Sequence, residues 1–455
     1  MIVALQERLA TLEARVGELE AQLGRNASNS SLPPSANPPQ APPPVVKTPT
    51  GKRRGAQPGH PPALRRRLPA QRLRDILPIV PTTCGRCRAP LPAQAGPDDP
   101  EPTWHQVADL PDVAAVVVEY QGCARTCPRC GEVTRAAIPA EVRAHAFGPR
   151  LAAVLAYLVG GHRVSRRGAE EIAEAVFDVP VSLGTVCHLE GQMAEALAPA
   201  HAEALQAVRE APAKHVDETG WKRAGARTWL WVGATAAVAA FVLHGRRSLA
   251  GLRTLLGEVV HGILITDRWS VYGGQPTHRR QLCWSHLRRD FQAMIDRGNA
   301  GRAVGEELLA LSNALFSWWH RVRDGTLQRR TFRTRAGWLR EDVQTVLERG
   351  RACRCARTAA VCRELLAVEA ALWTFVDVEG VEPTNHHAER MLRPAVLWRK
   401  GSFGCVGEGG CRFVERMLTV VQTLRLQRRS VLAYREQALR SQRNGLPAPK
   451  LLPTG

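Results

Sequence analysis

Apolar residues recur at a 4-3 spacing along the first residues of the chain: Leu5, Leu9, Leu12, Val16, Leu19 and Leu23. This spacing lays one apolar seam on a helix over residues 1–24, and the Glu, Arg and Gln between suit a coiled coil. The seam runs for about three heptads, near the lower limit for a two-stranded coil. It predicts a homodimer, with an amphipathic helix packed on its own chain as the blander alternative. Gly24 ends the pattern, and residues 25–69 are rich in Ser, Asn and Pro. That composition predicts a disordered, extended linker. Within it KRRGAQPGHPPALRRR, including Arg53 and Arg54, reads either as solvated linker or as a basic arm lying against phosphates.

Helical spacing returns over residues 145–210. HRVSRRGAEEIAEAVFDVPVSLGTVCHLE reads as helix, turn, helix, with Val179 and Pro180 in the turn and Ser182 capping the second helix. Such a unit enters a DNA major groove in many proteins and is an ordinary helical hairpin in others. From residue 214 the period shortens to two. KHVDETGWK, RTWLWVGAT and AAVAAFVLHG predict three strands of an antiparallel meander. SLAGLRTLLG then reads as a helix and GILITD as a buried strand. Residues 282–380 are largely helical, and so is the tail over 385–442, interrupted by GSFGCVGEGG. That glycine-rich stretch lacks the Lys-Ser/Thr of a phosphate-binding loop.

Composition narrows the classes. The 455 residues are 44% hydrophobic, enough for substantial cores in two to four domains. Lys and Arg total 62 against 42 acids, a net charge of +20 that favours a polyanionic partner. The longest apolar run, residues 230–243, is 14 residues broken by Gly233 and Thr235. A membrane-spanning helix needs about 20, so no membrane partner is expected. The first residues carry acids and no basic n-region, which predicts a cytoplasmic protein. In a reducing compartment, clustered cysteines suggest metal rather than disulfides. Cys84-x2-Cys87 and Cys127-x2-Cys130 flank a strand-like VAAVVVEY, and two such turns supply four thiolates to a structural Zn2+. Cys123 is a competing ligand.

Three acids stand out. Asp217 lies in the first strand of the meander, Asp267 ends the buried strand, and Glu389 sits in TNHHAERMLRP, where Asn385, Glu389 and Arg393 share a helix face. Acids at the ends of adjacent core strands cost desolvation unless a cation or proton compensates. Two facing aspartates are better explained by a divalent metal than by structure alone.

HVDETGW, TDRWSVY, RQLCWSHLRRDF, GVEPTNHHAERMLRPAVLWRKGSFG and RFVERMLTVVQTLRLQ, in this order, resemble the insertion sequence 66 family of transposases. The resemblance covers nearly the whole chain. It implies a multidomain protein with an N-terminal coiled-coil helix (1–24), a disordered Pro-rich basic linker (25–69) and a zinc-ribbon-like, zinc-binding domain (70–140). A helical, helix-turn-helix-like DNA-binding domain (141–212) would follow. The catalytic domain (213–428) would be an α/β RNase H-like core carrying a DDE triad, with a helical insertion at about 296–380, and the chain would close in a C-terminal helix and tail (429–455).

Carried over by position, the triad is Asp217, Asp267 and Glu389, holding two Mg2+ (or Mn2+) ions about 3.5–4 Å apart. Arg390, Arg393, Arg399 and Lys400 flank Glu389 and are candidates for phosphate contacts. The implied partners are double-stranded DNA (terminal inverted repeats and target) and small accessory proteins of the same element. The implied location is a bacterial cytoplasm, at the nucleoid when DNA is bound. The implied activity is metal-dependent strand cleavage and transfer. Alternatives are a catalytically inactive DNA-binding regulator derived from a transposase, and a nuclease that only hydrolyses.

The family's usual Asn-Asn is here Asn385-His386, and Ser or Thr common in the glycine-rich loop are Cys405 and Cys411. Cys283-x2-His286 resembles a CxxH signature of several DDE transposase groups. One CxxH supplies only two ligands, so a buried Cys and a hydrogen-bonded His are the favoured reading. Trp398 is expected in the core rather than stacked on a base.

Overall fold

The computed structural model describes residues 67–453 apart from residue 112, together with residues 8, 11–13, 15–17 and 20. Arg53, Arg54 and most of the N-terminal seam lie outside the described residues. Residues 11–13 and 15–17 are helical, with Leu12 and Val16 exposed. The chain divides into two compact units, Pro43–Ala114 and a larger one combining Met1–Pro42 with Ala115–Gly455.

In the smaller unit the Cys84 hairpin is closed by backbone bonds from Cys84 N to Ala89 O (2.9 Å) and from Arg88 N to Cys84 O (3.0 Å). In the larger unit, strands β1 (Ala124–Thr126) and β2 (Val133–Arg135) pair antiparallel around the second Cys-x2-Cys turn. There Cys127 N donates to Glu132 O at 2.8 Å and Gly131 N to Cys127 O at 2.9 Å. The strand expected over residues 113–120 does not form. Its β-branched residues are exposed and, among the described residues, no strand pairs with them, so backbone pairing has nothing to draw on.

Beyond a short helix α1 (Ala140–Arg143), the cap expected at Ser182 forms and Ser165 supplies another. Helices α2 (Pro149–His162), α3 (Arg166–Phe177), α4 (Leu183–Ala196) and α5 (Ala198–Glu210) follow. Ser165 Oγ accepts from Gly168 N and Ser182 Oγ from Thr185 N, each taking one of the free amides at a helix start. Arg166 grips the buried Glu190 with two nitrogens at 2.7–3.0 Å, locking α3 to α4. The apolar face of α4 (Val186, Leu189, Met193) belongs to the same core as the sheet that follows.

That sheet runs β5-β4-β3-β6-β7, built from β3 (Ala213–Arg223), β4 (Ala226–Ala234), β5 (Ala239–His244), β6 (Ile263–Thr266) and β7 (Arg280–Leu282). The first three are an antiparallel meander, and β6 and β7 add parallel to β3 and to each other. Ala224 and Gly225, both at positive φ, make the two-residue turn between β3 and β4, which suits the strand twist. Helix α6 (Leu249–Leu256) connects β5 to β6.

Between β7 and the last helices lie α7 (Trp284–Asp296), α8 (Arg302–Arg323), α9 (Arg329–Arg351), α10 (Ala356–Ala367) and the single turn α11 (Thr374–Asp377). They build their own core around Phe291, Leu315, Phe332 and Phe375. The chain then returns to the sheet with α12 (His386–Ser402), α13 (Glu408–Leu426) and α14 (Val431–Arg443).

Helix α13 covers the open edge of β5. Ala239 N, Phe241 N and Leu243 N donate to Thr423 Oγ1 (3.1 Å), Thr419 Oγ1 (3.0 Å) and Glu415 Oε1 (2.5 Å). These acceptors are spaced i, i+4, i+8 on α13 and meet every second amide of the strand, so an edge that would otherwise recruit another strand is closed. The glycine-rich loop before α13 pairs with the end of β3. Cys405 N donates to Lys222 O and Ala224 N to Cys405 O. Gly404 (φ +118°) has no room for a side chain there, since a Cβ would lie 2.2 Å from Lys222 O.

Candidate active site

Side chains alternate along a strand, so the odd residues of β3 face one way and the even ones the other. The odd face lies against α12. Trp221 meets Trp398 edge-on, and Arg399 Nη1 donates to Thr219 Oγ1 (3.3 Å) and to Gly220 O. His215 and Asp217 share this face. The parallel register Ala213↔Ile263 and His215↔Ile265, continued by two residues, brings Asp217 beside Asp267.

Glu389 arrives in the first turn of α12, and its amide donates to Asn385 O at 3.3 Å. Burial pushes the Asp217 carboxyl well above the usual carboxylate range. The negative charges of Glu218, Asp267 and Glu389 act in the same direction, against one opposing hydrogen bond from Glu218 N (2.9 Å). Asp267 Oδ1 accepts from Trp269 N (2.9 Å), which sets the loop after β6. The structure thus brings the three sequence-predicted acids into one electrostatic neighbourhood. Among the described residues no cation pairs with Asp217.

Asn385, buried at 1% exposure, joins the elements that carry these acids. Its Nδ2 donates to Val216 O (2.8 Å), its Oδ1 lies 3.2 Å from His215 Nδ1, and its amide donates to Cys283 Sγ (3.1 Å). Burial and the nearby His387 lower the His215 imidazole to about 4, so the ring is neutral near pH 7. Burial pushes the Cys283 thiol up to about 11.

Cys283 and His286, at the start of α7, lie against Glu389. The three donor atoms fall within 4.8 Å of one another, and His286 Nδ1 is 3.9 Å from Glu389 Oε1. Burial lowers the His286 imidazole. Sequence reasoning counted two donors here. The third comes from a helix about a hundred positions later, and only the CxxH spacing hinted at it.

The even face of β3 carries a second acid. Glu218 Oε2 accepts from Tyr272 Oη (2.7 Å) and Oε1 from Arg247 Nε (2.7 Å), while the Arg247 guanidinium stacks 4.1 Å from the Trp269 ring centre. Sequence reading did not single out Glu218.

The flanking cations divide. Arg390, Arg393 and Lys400 are exposed, whereas Arg399 is half-buried and bonded to β3. Trp398 is buried among Trp221 and Phe413. A cleft beside the start of α12 is lined by Ser285, Arg288, Asn313, Trp319, Arg323 and His386.

In the two Cys-x2-Cys turns, backbone N–H groups of Cys87 and Arg86 lower the Cys84 thiol, and those of Cys130 and Arg129 lower Cys127. Thiols so held give up their proton more readily to a metal.

No described helix is long and apolar enough to cross a membrane. No solved structure matches the chain. The chain is 26% identical over 209 residues to the "Uncharacterized protein y4qI" of Sinorhizobium fredii, a match covering 42% of this chain and 38% of that protein. Residues 1–66 match a "Family of unknown function (DUF6444)". The profile described as "Transposase IS66 family" matches residues 145–412, which take in helices α2 to α5, the sheet, all three acids and the CxxH, and the chain therefore belongs to the IS66 family of transposases.

Proposed function

We propose that the chain is a DDE transposase that cleaves and rejoins DNA at the terminal inverted repeats of its element. The reading rests on one observation above all. Asp217, Asp267 and Glu389, far apart in sequence, come near enough that the charges of Asp267 and Glu389 add to burial and to Glu218 in raising the Asp217 carboxyl well above its ordinary range. A carboxylate cluster whose most buried member, Asp217, has no paired cation among the described residues is a fitting cradle for divalent metal. Asp217, Asp267 and Glu389 would hold two Mg2+ (or Mn2+) ions, which when bound activate the attacking water or 3′-hydroxyl and stabilise the leaving oxygen.

The order of a three-stranded meander followed by two parallel strands supports an RNase H-like core, with α7 to α11 as the helical insertion. Asn385 would fix Glu389 against the strand that carries Asp217. The exposed Arg390, Arg393 and Lys400 would contact phosphates. Arg399, already bonded to β3, would add charge. On this helical pair, arginines unpaired among the described residues lie at the start of α3 (Arg163, Arg167), where Arg166 is held by Glu190, while α4 has no Lys or Arg. DNA contact by this unit is therefore assigned to the α3 end. Arg53 and Arg54 would add phosphate contacts from the linker. Cys84, Cys87, Cys127 and Cys130 would supply ligands to Zn2+, and the N-terminal seam would make a homodimer. Accessory proteins of the element would join the assembly.

The test is strand cleavage and transfer on DNA carrying the element's ends, with accessory proteins present. Metal-dependent joining by wild type that disappears in Asp217→Asn, Asp267→Asn and Glu389→Gln is the expected result. End binding without cleavage by wild type would instead identify a regulator.

A further inference from the structure

Cys283, His286 and Glu389 make a donor set unlike the all-oxygen set of the three acids. Cys283 immediately precedes α7 and His286 stands in its first turn, so the x2 spacing puts both on one side of the helix start. This is the spacing by which zinc sites take two ligands from one turn. Glu389 closes the set from the first turn of α12, with all three donor atoms within 4.8 Å.

Two further observations point to a missing partner. His286 Nδ1 is buried and has no hydrogen bond, although it faces Glu389 Oε1 at 3.9 Å. A buried ring nitrogen left in this state is costly unless something ligates it. Cys283 Sγ accepts the Asn385 amide hydrogen at 3.1 Å, a contact that favours metal-bound thiolate against the burial that otherwise keeps the thiol protonated.

We propose that Cys283 Sγ, His286 Nδ1 and one Glu389 carboxylate oxygen bind a single zinc-class divalent ion. Sulfur and imidazole select zinc-class ions, whereas Mg2+ takes oxygen. Binding releases the Cys283 thiol proton to solvent. The three protein donors leave a fourth position open to water or a phosphate oxygen. The ion ties the first turn of α12 to the first turn of α7 and so fixes Glu389, which it shares with the carboxylate centre. The site is defined by binding alone and stands or falls independently of the DNA chemistry.

The test uses purified full-length protein stripped with a chelator and titrated with Co2+, then with Zn2+. Wild type is compared with Cys283→Ser, His286→Asn and Cys84→Ser. Wild type is expected to bind one equivalent more than Cys283→Ser or His286→Asn. Its thiolate-to-cobalt absorption should fall in Cys283→Ser, while Cys84→Ser should retain the His286-dependent equivalent. A crystal of wild type saturated with Zn2+ should give an anomalous peak among the three donors. Equal equivalents in wild type and His286→Asn overturn the proposal, as does an anomalous map without that peak. Should Cys283→Ser fail to fold, His286→Asn and the map decide.

Discussion

The two faces of β3 carry neighbouring acids with opposite surroundings. On the even face Glu218 is met by the Tyr272 hydroxyl, the Arg247 guanidinium and a tryptophan against which that guanidinium stacks, and these oppose the burial that still raises its carboxyl. On the odd face Asp217 meets two more acids, one backbone amide and no cation among the described residues. A buried acid with its counter-charge built in holds a structure together. A buried acid surrounded by acids weakens the metal-free fold, a cost that a bound cation relieves.

This contrast is most sharply broken by exchanging roles. Asp217→Asn is expected to reduce metal-dependent strand cleavage by more than about 10³-fold, the several kcal/mol that metal-borne charge stabilisation supplies. It should leave thermal stability unchanged or raised. Glu218→Gln should do the reverse, costing about 1–3 kcal/mol in urea unfolding through its weakened bonds to Arg247 and Tyr272. Equal loss of cleavage in both variants would erase the distinction between the faces.

Asn385→Ala comes next. It leaves Val216 O and His215 Nδ1 without partners, so a stability loss of about 2–4 kcal/mol is expected from chemical denaturation. Cleavage should fall about 10- to 100-fold as Glu389 loses its register with β3. His215 gives a pH signature of similar size. Its folded pKa of about 4 lies below the free value of 6.5, so the folded protein binds fewer protons than the unfolded chain between them. The stability from the neutral ring is present above about 6.5 and is lost as pH falls toward 4, a total of about 3 kcal/mol. His215→Phe should remove that part of the acid-side slope in unfolding measured from pH 7 to 4. The smallest effect belongs to the sheet edge. Thr419→Val leaves Phe241 N unpaired and should cost about 1–2 kcal/mol without changing cleavage.

Much of this arrangement was legible in the residue pattern. The alternation of β3 to β5, the run GILITD and the Ser182 cap are local signals, and local signals survive folding. Strand β7 was not legible, because RQL is three residues long and buries Arg280 and Gln281 where an apolar pair is expected. The exposed valines over 113–120 erred the other way, since β propensity is realised only beside a partner strand. In the site, the three acids and their meeting were readable from their motifs and the resemblance, while the bonds by which Asn385 ties their elements together were not. Glu218 escaped notice because only its long-range bonds to Arg247 and Tyr272 separate it from a surface acid. Glu389 as third donor to Cys283 and His286 was hidden for the same reason.

Mn2+ titration, followed calorimetrically and by the loss of free-ion paramagnetic signal, tests the contrast between the two faces most directly. Glu218→Gln is predicted to bind the same number of ions as wild type, and Asp217→Asn at least one fewer. Identical Mn2+ binding by wild type and Asp217→Asn would contradict the assignment of the odd face to metal.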